Sequence, residues 1–167
     1  GWTTAQVAGL NSMQVASLTT AQVLALTSED VQAFNLGQLK GLRTDQVAVL
    51  ETADIAAISS RLISGLSSAQ FAAFTTAQIA SLSTAQLSAL ALQIPALGSS
   101  QVGGLTTAQI NSLTTANLKK MSPEALSGFS TTQFAVLDAA DLAALSSSQV
   151  RGLTTAQLQV LSTQAIR

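Results

Sequence analysis

An eight-residue repeat runs through almost the whole of this 167-residue chain. Two neighbouring copies, TTAQIASL at 75–82 and STAQLSAL at 83–90, show the consensus. We number the octad 1 to 8: two hydroxylated residues, a small residue, Gln, a branched apolar residue, two small residues and Leu. Copies follow in phase from Thr3 to Leu90, and the phase resumes at Gly98. Self-similarity at a fixed period indicates a repeat architecture, in which each unit buries its apolar side against its neighbours.

Each octad contains the signals that start a helix. Position 1 is nearly always Ser, Thr, Asn, Asp or Gly, the residues preferred as N-caps. Gln at position 4 completes a capping box, because its side chain reaches back to the backbone N–H of the cap. The apolar positions 8 and 5 occupy the two places of a hydrophobic staple, and Pro123, directly after Ser122, falls at the first helical position. The pattern predicts a helix from position 2 to position 7 or 8 of each unit.

Two other folds compete with this interpretation. In one continuous helix, eight residues would advance the apolar positions by about 80° beyond two turns, so they would not stay on one face. A β-solenoid is favoured by Thr and Val, but the abundant Ala at positions 3, 6 and 7 and the absence of period-2 alternation disfavour it. The sequence therefore predicts an all-α fold, an α-solenoid of about twenty short helices, one per octad. Its core should hold positions 5 and 8, which include every phenylalanine: Phe34, Phe71, Phe74, Phe129 and Phe134.

The repeat covers the chain as one array. We expect a single segment, 1–167, with octads from 3 to 167 and one irregular unit at 91–97. That unit is one residue short, lacks its cap and has Pro95 at position 6, so it should interrupt the local helix and kink the rod. Gly1-Trp2 and the six residues from Ser162 cut the pattern at the two ends. We interpret the chain as a piece of a longer protein.

Charge is sparse. Charged residues make up 9% of the chain, and seven basic against eight acidic residues give a net charge of -1. This balance offers no electrostatic footprint for nucleic acid or an anionic membrane surface, and no apolar run is long enough for a membrane-spanning helix. We therefore expect neither nucleic-acid binding nor membrane insertion.

Acidic residues replace Gln at position 4 in three octads. In each case the next octad has Gly at position 7 and also contains a basic residue. We interpret this as an ion pair between units beside a looser turn, with a binding site as the alternative. The acidic, glycine and basic residues are Asp30, Asp54 and Asp141; Gly41, Gly65 and Gly152; and Lys40, Arg61 and Arg151.

The residue types needed for most catalytic and metal sites are missing. His, Cys and Tyr are absent, the carboxylates are scattered, and no phosphate-binding loop or calcium-binding loop occurs. Asp138 and Asp141 fall at positions 1 and 4 of one octad, where a cap and a capping-box acid explain them. We expect no catalytic, cofactor or metal site, and no enzymatic activity.

Units such as TTAQVAGL, TTAQIASL and TTAQLQVL follow the pattern Ser/Thr-Ser/Thr-Ala-Gln-Val/Ile/Leu-x-x-Leu. The pattern resembles the octapeptide arrays of very large surface or secreted proteins of proteobacteria, which are often labelled adhesin-like or "heme utilization or adhesion" proteins. The resemblance implies an extracellular or cell-surface location and a role in adhesion or display. It does not support haem binding here, because the usual ligand types are absent except Met13 and Met121, which we place at packing positions.

The leading functional hypothesis is a non-catalytic, rigid spacer whose partners are the neighbouring repeats of its parent chain. The alternative is a scaffold that binds a protein or glycan along positions 1, 2 and 6; a minor alternative is an ice- or surface-binding array of paired threonines. We expect a monomer, with self-association left open. Replacing Ile79 or Leu82 by Ala should cost about 2–5 kcal/mol, and replacing Gln78 by Ala much less.

Overall fold

The chain forms an α-solenoid in a computed structural model that describes the backbone of residues 2–164 and the side chains of residues 2–161. This part contains nineteen short α-helices, one 3₁₀ helix and no strand. The predicted all-α solenoid of about twenty helices is confirmed. The 3₁₀ helix, Ile94–Ala96, lies between α11 and α12. The α-helices, α1 to α19 in chain order, are Thr4–Ala8, Ser12–Ser17, Thr20–Leu24, Ser28–Gln32, Leu36–Gly41, Thr44–Val49, Thr52–Ala57, Ser60–Ile63, Ser68–Ala72, Thr76–Ser81, Thr84–Ala89, Ser99–Gly103, Thr107–Asn111, Thr115–Lys120, Pro123–Ser127, Thr131–Phe134, Ala139–Ala143, Ser147–Arg151 and Thr155–Gln164.

Every α-helix starts at position 2 of its octad. A capping box explains most of these starts, whereas in α8, α15 and α17 the cap side chain alone accepts from the position-4 N–H. In α10, the Thr75 hydroxyl accepts from the Gln78 backbone N–H at 3.2 Å, and the Gln78 side-chain oxygen accepts from the Thr75 N–H at 2.8 Å. The helices end at positions 5 to 7, slightly earlier than predicted, except α19. Leu82, at position 8, is already extended, and its N–H bonds the Ile79 carbonyl three residues back. This hydrogen bond to the residue three positions back ends the helix, and the extended residue at position 8 connects it to the next helix.

The helices stack in turns. Counting the 3₁₀ helix as a unit, each helix packs against the third one further along the chain, as α1 does on α4 and α4 on α7. Three octads therefore make approximately one turn of the superhelix, and the next turn covers them. Positions 5 and 8 fill the interior between turns, and all five phenylalanines are buried there, as predicted. Phe71 and Phe74 meet edge to face with ring centroids 5.3 Å apart.

The irregular unit interrupts the helix pattern but keeps the stacking. After α11 the chain turns through residues 90–93 and enters the 3₁₀ helix, which contains Pro95. The predicted break in the α-helix is confirmed; a kink of the rod remains a prediction. Ile94 and Leu97 stay buried, and the 3₁₀ helix packs on α9 and α14 as a regular unit would. The irregular unit differs from the regular ones in its hydrogen bonding: the buried Gln93 Oε1 has no hydrogen-bond partner among the described residues.

The last helix departs from the octad pattern. α19 continues to Gln164, past the boundary expected at Ser162. The residue three positions after Ser162 is Ala165 rather than Gln, so the sequence has no capping box there. This alone does not explain the longer helix, because α8 and α15 start with Leu62 and Ala125 at position 4. The remainder of the partial last octad, residues 165–167, lies outside the described residues, as does Gly1.

Candidate functional site

The position-4 glutamines join one turn of the solenoid to the turn before it. While the Gln78 side-chain oxygen closes its own capping box, the Gln78 Nε2 donates to the carbonyl oxygens of Val47 at 2.9 Å and Leu50 at 2.7 Å. These acceptors are positions 5 and 8 of the octad four units earlier. Gln78 is almost completely buried, so one side chain both starts its helix and satisfies backbone carbonyls of the neighbouring turn.

The same arrangement recurs along the array, and we call it the glutamine ladder. Gln86, for example, donates to the carbonyls of Ile55 at 2.9 Å and Ile58 at 2.7 Å. Gln93 keeps its inter-turn bond to the Leu66 carbonyl at 2.9 Å despite the irregular unit. The regular members of the ladder are Gln38, Gln46, Gln70, Gln78, Gln86, Gln101, Gln109, Gln133, Gln149 and Gln157.

Sequence reasoning found only half of this role. It assigned Gln to the capping box, for which Glu would serve equally well. The near-uniform choice of Gln over Glu was the available signal, because only the amide has a donor for the carbonyls of the previous turn. The expectation that Gln78 matters much less than Leu82 therefore rested on an incomplete set of contacts.

Aspartate at position 4 makes a different inter-turn contact. The Asp54 Oδ1 accepts from the Ser28 hydroxyl at 2.8 Å, and the Asp141 Oδ1 accepts from the Thr115 hydroxyl at 2.9 Å. Both donors are position 2 of the octad three units earlier, 26 residues back. The carboxylate of Asp cannot donate to carbonyls, and the Asp side chain is too short to reach them. It therefore accepts a hydrogen bond from the nearest hydroxyl instead.

The predicted ion pairs between units are wrong. Lys40, Arg61 and Arg151 are all exposed, and within the described part of the chain the single salt bridge joins Arg43 to Asp45 at 3.0 Å in one octad. The position-4 carboxylates are already occupied by neutral hydroxyl and backbone donors. Asp138 caps α17 as expected, whereas Asp141 bonds across the turns to Thr115.

Asp30 shows the electrostatic consequence. Burial of its carboxylate disfavours the charged form, but hydrogen bonds from the Thr27 backbone N–H and from the Thr4 and Thr27 hydroxyls outweigh this effect. The pKa of Asp30 therefore lies below its ordinary value of 3.8. Asp30 is held ionised by hydrogen-bond donors of two stacked octads.

Several glycines at position 7, among them Gly41 and Gly152, mark places where the turns approach closely. A Cβ on Gly41 would lie 2.5 Å from the Ser12 carbonyl oxygen, and one on Gly152 would lie 2.6 Å from the Pro123 Cβ. Both contacts reach position 2 of the octad three units earlier. The reason for these glycines is close packing rather than unusual backbone geometry, since no described residue has a positive φ.

The two ends of the described array differ from its interior in opposite ways. At the N-terminal end, Gln6, Gln14 and Gln22 are exposed, and their Nε2 atoms have no hydrogen-bond partner within residues 2–161. Trp2 lies there too, half-exposed beside a cleft of about 220 Å³ that Gln22 also lines.

At the C-terminal end of the described residues, the position-5 side chains are more exposed to solvent than in the interior. Val150 is 40% exposed and Leu158 43% exposed, whereas Ile79 in the interior is fully buried. Met13 is another exception to the expected packing: it is 78% exposed because it falls at the outward position 3, while Met121 is buried at position 8. Packing was thus predicted correctly for Met121 and wrongly for Met13.

No site for chemistry was predicted from the sequence, and that expectation stays a prediction. Within the described residues, no group of three or more acidic side chains is arranged to hold a metal ion. No described helix is long and apolar enough to cross a membrane. The distinctive chemical feature of the described residues is the glutamine ladder.

The family model of the ALTTAQ repeat matches residues 24–60, 47–84 and 134–167, together more than half of the chain. The chain belongs to the ALTTAQ repeat family. The six letters of that description span positions 7 and 8 of one octad and positions 1 to 4 of the next, which are the staple residue, the cap and the ladder glutamine. No curated protein matches the chain significantly. The ALTTAQ array is thus a family defined by the residues that build its turns.

Proposed function

We propose that this ALTTAQ array is a non-catalytic spacer, a stiff rod that holds other parts of a large protein at a distance. The glutamine ladder carries the proposal. Each regular turn is attached to the one before by buried amide–carbonyl bonds, such as those from Gln46 to the Val15 and Leu18 carbonyls at 2.9 and 2.8 Å. Buried hydrogen bonds of fixed geometry resist bending and shear, because an opened pair would leave polar groups buried without partners.

The exposed surface supports the same proposal. Positions 2, 3 and 6 stay mostly small, with Ser, Thr and Ala recurring from unit to unit. A surface that reads one particular partner normally presents large anchoring residues such as Trp, Tyr or Arg. The uniform, small side chains on the exposed surface therefore favour a spacer over a module that binds one particular partner.

The spacer proposal predicts that length follows the number of turns. Deleting residues 67–90 removes three complete octads and joins matching positions. The rod should shorten by about 8–10 Å, the distance between packed helices, at constant cross-section. Small-angle X-ray scattering of the two chains at low concentration measures both quantities. A compact envelope, or a change of cross-section without shortening, would overturn the proposal.

A protein- or glycan-binding scaffold is the second candidate. One lateral cleft of about 300 Å³ favours it; Phe34, Leu36, Arg61 and Leu62 are among its lining residues, and Leu36 is 46% exposed. A glycan array probed with the labelled chain tests it. Binding that is lost in Leu36→Glu and kept in Leu24→Glu, which changes an equally exposed leucine, supports the scaffold. Absence of binding leaves the spacer.

The octad's resemblance to the repeats of large bacterial adhesin-like proteins supports an extracellular or cell-surface location for the parent protein. On that proposal, the rod projects an adhesive or display domain away from the cell. An antibody against this segment should label intact cells that produce the parent protein. Labelling that appears only after the cells are made permeable would reject the surface location.

A further inference from the structure

We propose that the rod opens at one defined interface before it opens elsewhere. This interface lies between residues 83–97, which include the irregular unit, and the two octads at 114–121 and 122–129; we call it the seam. Opening at the seam lets the rod lengthen under tension while the turns on either side stay folded. The inference concerns how the glutamine ladder is distributed along the chain, and it goes beyond the spacer function.

The glutamine ladder is interrupted on one side of the seam. Asn117 and Ala125 replace the position-4 glutamine in the two octads. The Asn117 side chain is one methylene shorter, and its Nδ2 donates to the Ala91 carbonyl at 3.3 Å, whereas Gln109 reaches its position-8 carbonyl at 2.7 Å. Ala125 has no side-chain donor, so within the described residues no amide reaches the Leu97 carbonyl four units earlier. Two consecutive octads therefore lack the regular bonds to the previous turn.

The other side of the seam is irregular as well. The Leu90 carbonyl would be a ladder acceptor in a regular unit, but it accepts from the backbone N–H of Gln93 at 2.8 Å. The 3₁₀ helix Ile94–Ala96 stands in place of an α-helix. The Gln93 Oε1 is buried and has no partner within the described residues. An unpartnered buried atom costs free energy in the closed state, and water hydrates it when the turns separate.

Apolar packing keeps the seam closed in the folded chain. The position-5 and position-8 side chains of both octads are buried, and a Cβ on Gly128 would lie 2.6 Å from the Ser99 Cα of the previous turn. The stability of a solenoid is approximately a sum over such interfaces, so opening begins at the weakest one. Because helices of five or six residues depend on packing, α14 and α15 lose their structure when the seam opens.

A second interruption of the ladder serves as an internal comparison. Asp54 and Leu62 replace the position-4 glutamine in the octads at 51–58 and 59–66. Asp54 keeps a bond between turns, from the Ser28 hydroxyl at 2.8 Å. The units four earlier contain α3 and α4, which start with complete capping boxes. The seam differs because its missing bonds coincide with the irregular unit, so we infer that it is the weaker of the two interfaces.

Hydrogen exchange of the whole chain, followed by mass spectrometry without denaturant, locates the opening. The backbone amides of α14 and α15 should exchange roughly tenfold faster, or more, than those of α6 and α10, because opening at the seam needs less free energy. The amides of α8, at the second interruption, should exchange more slowly than those of α15. The inference is overturned if α14 and α15 are as protected as α6 and α10, or if α8 exchanges first.

Restoring the missing amides tests the cause. Asn117→Gln with Ala125→Gln gives both octads the position-4 residue of the regular units. The matched control, Ala116→Gln with Glu124→Gln, puts the same side chain at the exposed position 3 of the same octads. The restored chain should lose the excess exchange of α14 and α15, and the control should keep it. A restored chain that exchanges like the control overturns the inference.

Asn117→Gln alone covers the case in which Ala125→Gln disturbs the fold. This single change adds one methylene at a position where most octads have Gln. It should slow the exchange of α14 relative to Ala116→Gln alone. Unchanged exchange of α14 would show that the missing ladder bond is not what weakens the seam, and it would reject the inference.

Magnetic tweezers test the opening under tension. With the chain held at its two termini, the wild type and the control should show a first extension step at a force at which the restored chain keeps its folded length. Identical first steps in all three chains would reject the inference. A chain that scatters as an elongated rod while the seam and the interior exchange alike would leave the spacer function intact and reject the seam.

Discussion

The side-chain amide of Gln78 donates to the carbonyl oxygen of Leu50, 28 residues earlier in the chain, at 2.7 Å. This bond crosses from one turn of the solenoid to the next. The same side chain starts α10 through its bond with Thr75. Local helix formation and turn stacking therefore depend on a single residue type.

Gln78→Ala should destabilise the array far more than a lost helix cap. It removes the capping bond and leaves the buried Val47 and Leu50 carbonyls without their side-chain donor, so we expect a loss of about 2–4 kcal/mol. Gln14→Ala is the matched control, because Gln14 forms the same capping box without an inter-turn bond, and it should lose about 1 kcal/mol or less. Urea unfolding followed by circular dichroism measures both. Equal losses would show that the ladder adds nothing to capping.

Leu82→Ala should cost about 2–5 kcal/mol, since Leu82 is buried between turns and its truncation leaves a cavity. Leu92→Ala provides the comparison: Leu92 is 78% exposed, and its loss should change the unfolding free energy by less than about 0.5 kcal/mol. The same urea titration applies. If Leu82→Ala lost under 1 kcal/mol, the apolar face would not be a core.

Gly41→Ala should be destabilising by about 1–3 kcal/mol, because the new Cβ would collide with the backbone of Ser12 in the previous turn. Gly9→Ala should have the opposite sign. Gly9 has helical φ and ψ and ordinary contact distances around its Cβ position, so restricting the unfolded chain should stabilise by about 0.4–1 kcal/mol. Thermal unfolding of the two variants gives the signs directly. Stabilisation by both would mean that the turns are looser than the structure indicates.

The Asp30 carboxylate makes the array sensitive to acid. Its pKa is lower in the folded chain than the ordinary 3.8, so its stabilisation is present above that value and is lost as the pH falls through the folded-state pKa. The difference in melting temperature between wild type and Asp30→Asn should therefore be constant near neutral pH and shrink between about pH 4 and pH 2. If the melting temperatures of the two chains differed by the same amount throughout that pH range, Asp30 would have its ordinary pKa in the folded chain.

Much of this fold was predictable from the octad, because the signals are local. A cap at position 1 and Gln at position 4 determine where α10 starts, and these residues lie within four positions of each other. The regular recurrence of caps predicted the number of helices, and the apolar positions 5 and 8 predicted that the phenylalanines are buried. Pro95 marked the place where the α-helix gives way. These features depend on contacts within one unit.

The tertiary structure decided which units meet, and the sequence could not supply this. The second partner of Gln78 lies 28 residues away, and the partner of Asp54 is a Ser28 hydroxyl rather than a nearby cation. Such pairings depend on the number of octads in a turn, which no single octad contains. Packing of each helix on the third one along the chain sets that number. The same packing brings each capping glutamine against the backbone carbonyls of the previous turn, which no single octad could predict.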